Sequence, residues 1–322
     1  MRIGIVGCGL IGAKRAAAAK AHEIVVVCDR DKARADALAR QTGATAVTSP
    51  AAAIQSKVDA IVVATTHDQL AGIALAAVEA GKHVLVEKPA GRRVDEIRPI
   101  ADAAKKRGRV VKVGFNHRFH PGFQKAREIV DQGALGPLMF TRARYGHGGR
   151  LGMEKEWRCQ AELSGGGEAI DQGSHLIDLS RWFLGELSLD YASAPTLFWN
   201  IAVDDNCFIA LRGKRGEMAW LHAGWTEWKN VFAFELAGRN GKLTVEGLGG
   251  SYGVERLTYH RMLPEMGPPE TTSWEYPFPD KSWDAEFADF AAAVETGRKP
   301  NGDIDDAIAN LAIIQQIYET RK

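Results

Sequence analysis

Arg2-Ile3-Gly4-Ile5-Val6-Gly7-Cys8-Gly9-Leu10-Ile11-Gly12 places an apolar run directly before a complete GxGxxG. Glycines recur by chance, so the spacing alone says little, and its context decides the reading. The run before Gly7 is strand-like. The alanine-rich stretch after Gly12 is helix-like, and the two begin a βαβ unit. In that setting the first glycine allows a tight turn and the second lets backbone approach a pyrophosphate. The third lets helix and sheet pack closely, while the helix N-terminus offers unbonded N–H groups to an anion. Gly7, Gly9, Leu10, Ile11 and Gly12 are therefore the expected nucleotide-binding residues.

Working outward, short apolar runs recur at residues 3–6, 24–27, 60–63, 84–86 and 110–113. Near-continuous Val/Ile runs suit strands buried on both faces of a parallel sheet. Between them lie helical segments with readable ends. Ser49-Pro50 reads as an N-cap followed by proline at the first helical position. Gly81 and Gly108 stand where helices stop. The pattern predicts an α/β fold whose first domain, residues 1–120, is a doubly wound Rossmann sheet.

After residue 120 the alternation ends. Helices are expected at 121–132 and 168–184, and a strand at 138–145 ahead of a glycine-rich loop. Strands with hairpin turns follow to about residue 260, with Asn240-Gly241 as a type I′ turn. Two terminal helices are expected near 282–295 and 303–319. Residues 121–322 thus read as an α+β domain with an open, largely antiparallel sheet for substrate binding and oligomerisation. The terminal helices are free to pack back on the first domain. At 322 residues, two domains are the natural division.

Asp29 ends the second run, where an acid accepts hydrogen bonds from the adenosine ribose and repels a 2′-phosphate. It favours NAD, and the adjacent Arg30 leaves NADP open because a guanidinium can hold a phosphate. Glu87-Lys88-Pro89 ends the fourth run. Ligands of a doubly wound sheet lie beyond the strands' carboxyl ends, so Lys88 is expected on the nucleotide side, kept extended by Pro89. The X-Pro bond is open to either isomer. An ammonium there can hold a substrate hydroxyl and stabilise a developing alkoxide. In the later helix Asp171, His175 and Asp178 are spaced i, i+4, i+7, one polar stripe flanked by apolar residues. The imidazole suits proton transfer, and Asp171 is placed to orient it or bind substrate. A buried His–Asp pair that only locks the helix to the sheet is the competing reading, strongest for Asp178.

The glycine fingerprint, the 81–89 segment ending Glu87-Lys88-Pro89, the 114–119 stretch and the 165–178 helix together resemble the glucose-fructose oxidoreductase / inositol dehydrogenase / MocA family. The resemblance covers both halves in order. It implies an NAD(P)-dependent oxidoreductase acting on a sugar, sugar derivative or cyclitol, with an open sheet that builds homo-dimers or homo-tetramers. It implies Lys88 as the substrate-hydroxyl contact, His175 as acid/base and Asp171 as a neighbouring catalytic or substrate-binding carboxylate. It places Asn116, Arg118, Trp157 and Arg158 near substrate, and Thr65, Thr66, His67, Glu87 and Lys88 near the cofactor. After the third run this chain reads Thr65-Thr66-His67, with Leu70 three positions later. Relatives commonly read Thr-Pro-Asn followed by histidine there. Lys88 and His175 must meet beside the nicotinamide for this reading to hold. The family also contains NAD-using glycoside hydrolases and a dinucleotide-binding regulator, which remain as alternatives.

Net charge is +1, so neither nucleic acid nor an anionic membrane is expected as partner. No run is long enough to span a bilayer and no secretion signal is read at the start. Cys8, Cys28, Cys159 and Cys207 have no CxxC spacing, which fits a reduced, cytoplasmic protein with thiols in packing roles. His117 and His120 lack companions for a metal, and none is expected. Arg92-Arg93 and Lys105-Lys106-Arg107 read as solvated helix ends. Trp199, Trp220, Trp225 and Trp228 are placed on strands, as core or subunit packing.

Overall fold

The computed structural model describes residues 1–321. In chain order the elements are β1 (Arg2–Val6), α1 (Leu10–Ala18), β2 (Glu23–Cys28), α2 (Lys32–Thr42), β3 (Thr45–Val47), α3 (Pro50–Gln55), β4 (Ala60–Val63), α4 (His67–Glu79), β5 (His83–Val86), α5 (Val94–Arg107) and β6 (Val111–Val113). Then come α6 (Pro121–Asp131), β7 (Leu138–Gly146), α7 (Ala161–Ser164), α8 (Gln172–Leu184), β8 (Leu187–Ser193), β9 (Asn206–Gly213), β10 (Met218–Gly224), β11 (Val231–Gly238), β12 (Gly241–Glu246), β13 (Glu255–Arg261), β14 (Glu270–Tyr276), α9 (Ser282–Thr296) and α10 (Ile304–Thr320).

The chain forms two compact units. The first takes Met1–Asn116, Glu162–Gly165 and Trp283–Leu311; the second takes His117–Ala161, Gly166–Ser282 and Ala312–Lys322. The first carries a six-stranded parallel sheet in the order β3-β2-β1-β4-β5-β6. The order reverses between β1 and β4, and a doubly wound sheet binds its ligand at that switch point. Every residue of β4 is buried, as a strand covered on both faces requires. Phe287 and Phe290 of α9 join the core made by Ile3, Ile5, Val27, Val62 and Leu85. Gly81 and Gly108 take positive φ after α4 and α5, closing both helices as expected.

The second unit is an eight-stranded sheet in the order β14-β13-β12-β11-β7-β10-β9-β8. It is antiparallel except for the parallel pair β7–β10. One face is covered by α6 and α8. Thr141 Oγ1 donates to Ser180 Oγ at 3.0 Å, and Phe123 meets Phe234 edge-on. The opposite face carries Trp220, Phe208, His222, Arg142 and Glu235, with Phe208 and His222 stacked at 4.3 Å.

Several local expectations are corrected. Strand β3 has three residues, none of them buried, and escaped the apolar-run criterion. The β11–β12 hairpin pairs Gly238 with Gly241, so its two-residue turn is Arg239-Asn240 rather than Asn240-Gly241, and neither residue has positive φ. Of the four tryptophans placed on strands only Trp220 lies on one, and it is exposed; Trp225 is buried and Trp228 stands in solvent. Ser49 does precede α3, with Pro50 at its first turn, but its side chain makes no cap bond.

Helix α8 begins at Gln172, not Glu168. The glycine triplet is pinned elsewhere: Gly167 N and Ala169 N donate to the two carboxylate oxygens of Asp204 at 2.9 and 2.8 Å. A Cβ on Gly167 would lie 1.9 Å from Asp204 O, so only glycine fits that approach. Asp171 is the N-cap, with ψ −80°. It therefore leaves the helical stripe expected for Asp171, His175 and Asp178.

Candidate active site

In the first unit the three glycines do three different things. A Cβ on Gly7 would sit 2.3 Å from Ala64 O, and the residue has φ 99°. A Cβ on Gly12 would fall 1.8 Å from Gly7 O, so α1 lies against the turn. A Cβ on Gly9 would meet nothing within 4 Å. Gly9 is thus the one position of the motif whose missing side chain opens space rather than permitting contact. That space stands before the N-terminus of α1, whose cap has no side chain, a setting in which a helix N-terminus can receive an anion. Leu10, at the rim, is exposed, and Ile11 is half-buried.

Asp29 closes the other side of this turn. Its Oδ2 accepts from Cys8 N at 2.8 Å and its Oδ1 from Asp31 N at 2.9 Å, so the carboxylate is held at the end of β2 beside the glycine loop. Arg30 is exposed. Thr65 and Thr66 follow β4, and Thr66 Oγ1 donates to Asp68 Oδ1 at 2.6 Å. His67 is buried, its Nδ1 2.8 Å from Ser164 O of α7. Arg92 joins the same anchorage through Glu96 and the Glu162 carbonyl; it is half-buried rather than a solvated helix end.

The Glu87-Lys88-Pro89 corner divides its labour. The carboxylate of Glu87 turns inward, where Arg15 Nε donates to Oε1 at 2.5 Å, and Arg15 Nη1 reaches Glu286 of α9 at 2.5 Å. Arg15 and Glu286 are wholly buried. A side chain on Gly114 would strike both Arg15 and Glu87. Glu87 is thus the counter-ion of a buried arginine. Lys88 is half-buried at the strand tip, and the Lys88–Pro89 bond is cis.

In the second unit His175 of α8 is buried and stacks on His117, ring centroids 3.7 Å apart and planes 23° from parallel. Tyr145, near the end of β7, lies 6.3 Å from His175 and 5.4 Å from His117 by ring centroids. Tyr145 also meets Tyr252. Burial first, then Tyr252, Asp171 and Glu168, push the Tyr145 phenol well above its ordinary range; burial and Glu168 push Tyr252 up to about 12. Both phenols stay protonated donors at neutral pH. Asp171 pairs with Arg158 at 3.3 Å, and the Arg158 guanidinium lies 4.5 Å over the Trp157 ring. His147 is held below the usual imidazole range by burial, against the pull of Asp171.

Arg118 is engaged by Asp178. Nε and Nη2 donate to the two oxygens of Asp178 at 2.8 and 2.6 Å, a bidentate pair almost without solvent. Asp178, weighed from the sequence as part of a buried locking pair, is held by Arg118. The substrate contact expected of Arg118 would have to compete with that pair. Asn116 is buried in the 3₁₀ turn just before it, in the first unit. Sequence reasoning missed Arg15, His117, Tyr145, His147, Tyr252 and Asp204. Only Tyr145 carried a readable signal, standing near the end of a strand ahead of a glycine-rich loop. Among the described residues no group of three metal-ligating side chains occurs.

The strand order, the open glycine turn and its acid define a dinucleotide-binding Rossmann protein. The chain belongs to the GFO/IDH/MocA family: residues 1–115 match its oxidoreductase, NAD-binding Rossmann model, and residues 123–244 match the GFO/IDH/MocA C-terminal domain. D-glucoside 3-dehydrogenase of Escherichia coli (strain K12) is 33% identical over 64% of this chain, and the matched stretch spans 60% of that relative's length. D-xylose 1-dehydrogenase (NADP(+)) 2 of Haloferax volcanii is 28% identical over 99% of this chain and 97% of its own. The fold is shared with a levoglucosan dehydrogenase solved with NADH and L-sorbose, at TM-score 0.87 and 23% identity, covering 99% and 96% of the two chains.

Proposed function

We propose that this protein is a dehydrogenase or ketoreductase of carbohydrate-like substrates: a sugar, a sugar derivative or a cyclitol. The observation that carries the reading is the open space at Gly9, framed by a glycine turn and by Asp29, in a chain of this oxidoreductase family. The Asp29 carboxylate, held by Cys8 N and Asp31 N, favours NAD over NADP because a 2′-phosphate would meet like charge. The name of the D-glucoside 3-dehydrogenase relative supports a secondary hydroxyl or its ketone as the reacting group.

The residues then take distinct roles. His175 accepts the hydroxyl proton, Lys88 holds the oxygen through its ammonium, and the C–O bond becomes a carbonyl. A bound nicotinamide would supply the acceptor for the carbon's hydrogen and its electron pair; reduction of a ketone runs the same balance in reverse. Asp171, held by Arg158, faces substrate hydroxyls together with Trp157, with Asn116 as a further contact. Tyr145 adds a protonated phenol beside His175.

Reduced-nicotinamide absorbance with a panel of glycosides, aldoses, anhydrosugars and cyclitols tests the reading, comparing wild type with Lys88→Ala and His175→Ala. Turnover of at least one class, lost by about 100-fold or more in both variants, is expected. Variants as fast as wild type would reject the residue roles. Glycoside cleavage without net change in reduced nicotinamide would reject the reaction in favour of a hydrolase.

The outer face of the eight-stranded sheet, with Trp220 more than half exposed among Phe208, Tyr191 and His222, supports a homo-dimer or homo-tetramer built there. Trp220→Glu is expected to yield monomers in light scattering. A cytoplasmic location rests on four buried thiols, none in a disulfide. No helix among the described residues is long and apolar enough to cross a membrane.

A further inference from the structure

We infer that Tyr318, in the last turn of α10, is a positioning residue of the candidate site: with Asp204 it fixes the turn at residues 166–171 and so sets where Asp171 stands. Asp171 enters as the substrate contact of the proposed function, on which this inference rests; the network itself stands on geometry. All its members belong to the second unit. Gly167 N donates both to Asp204 Oδ1 at 2.9 Å and to the Tyr318 hydroxyl oxygen at 3.1 Å. Gly167 O in turn accepts from Asp171 N at 3.0 Å. The hydroxyl is thus two hydrogen bonds from the backbone of Asp171.

Asp204 gathers three successive amides. Its carboxylate takes Gly167 N and, at 2.8 Å, Ala169 N, while its backbone oxygen takes Glu168 N at 3.1 Å. The residue is wholly buried. Burial pushes the Asp204 carboxyl up, and the Ala169 and Gly167 N–H groups and the Tyr318 hydroxyl pull it back down. The hydroxyl is therefore one of the donors that compensate a buried acid. It stays a donor at neutral pH, because burial, then Asp204 and Cys207, hold the phenol well above its ordinary range. A Cβ on Gly166 would lie 2.0 Å from the same hydroxyl oxygen, so glycine is needed there for Tyr318 to reach the turn. Arg321, just after α10, brings a cation 3.8 Å from Asp204 Oδ1 and donates to Thr196 Oγ1 at 2.7 Å.

Asp171 needs such a hold. It is the N-cap of α8, with φ −83° and ψ −80°, so its backbone lies outside the helix and the turn before it decides its place. A group that contacts substrate works only if it is held close to its productive position. Tyr318→Phe keeps the ring and removes the hydroxyl, which leaves Gly167 N on Asp204 alone and Asp204 one donor short. A residue that only stabilised the fold would lower the urea midpoint and leave the kinetics of the folded enzyme as they were.

The test is steady-state kinetics of full-length Tyr318→Phe with the best substrate of the sugar and cyclitol panel, beside NADH fluorescence titration and amide hydrogen exchange read by NMR. The sugar's KM should rise by about tenfold or more, with kcat falling less and NADH affinity within about twofold of wild type. Exchange at Gly167, Ala169 and Asp171 should quicken by at least about tenfold, with the amides of β9 and β10 unchanged. Should the Phe variant prove insoluble, Tyr318→Met, which fills the space more pliantly, must give the same split. Wild-type kcat/KM in the folded variant overturns the inference. So does exchange that is unchanged in the turn, or that quickens there only as much as in β9 and β10. A wild type that turns over no member of the panel defeats the proposed function, and the exchange pattern then decides by itself whether Tyr318 holds the turn. Turnover that the variant matches defeats this inference alone.

Discussion

Alanine at Gly9 and alanine at Gly12 should fail in opposite ways, although both add one methyl to the same motif. At Gly9 the backbone has φ −74° and ψ −165°, open to any residue, and the new Cβ meets nothing within 4 Å. Restricting the unfolded chain stabilises such a site by about 0.4–1 kcal/mol. Alanine is a poorer N-cap than glycine, which costs up to about 1 kcal/mol. The two terms nearly cancel, so the melting temperature should stay within about 4 °C of wild type. The methyl nevertheless fills the space proposed for the pyrophosphate, and NADH affinity should fall by about 100-fold, equivalent to ~2.7 kcal/mol. At Gly12 the Cβ would lie 1.8 Å from Gly7 O, backbone against which no side chain can swing away. Helix α1 must then lift from the turn, at a cost of about 3 kcal/mol or more. Fluorescence titration with NADH and thermal unfolding of both variants decide the matter. Wild-type affinity in Gly9→Ala would remove the nucleotide from this turn. Equal destabilisation by the two substitutions would refute the steric distinction between them.

Arg15→Met leaves Glu87 and Glu286 buried without their cation and should cost about 3–5 kcal/mol, read as the urea midpoint; a midpoint like wild type would show that the pair contributes nothing. For Asp205, burial opposes ionisation, but the N–H groups of Leu197, Phe198 and Trp199 outweigh it and hold the carboxyl below its usual range. A depressed folded value stabilises above the unfolded one and is lost as pH falls through it, so wild type should weaken below about pH 4. Asp205→Asn should be less stable at neutral pH and show a shallower acid limb, checked by urea midpoints against pH; parallel curves would sink the argument. Asp29→Ala removes the carboxylate that a 2′-phosphate would meet and should move the NADP/NAD affinity ratio at least about tenfold toward NADP, measured by fluorescence titration.

What could be read from the amino-acid order, and what could not, divides by how far away the deciding partner lies. The glycine motif was legible because its constraints are near at hand: Gly12 answers to Gly7, five residues away, and the buried runs of β1, β4 and β5 need only a hydrophobic neighbourhood. The start of α8 was not, because the glycine triplet bonds to Asp204, 37 residues on from Gly167, and that bonding overrides the local helical pattern. Glu87 reads locally as a strand-end acid beside a functional lysine. Its partner Arg15 lies 72 residues back and Glu286 a further 271 from Arg15, and no window on the sequence contains all three. The same holds for His117 and His175, 58 positions apart by number (175 − 117) and in ring contact in the fold. Residue type announces the chemistry a side chain can perform. Which groups tune that chemistry is a tertiary fact, and for an imidazole whose ordinary titration lies close to neutrality the tuning decides whether it is an acid or a base.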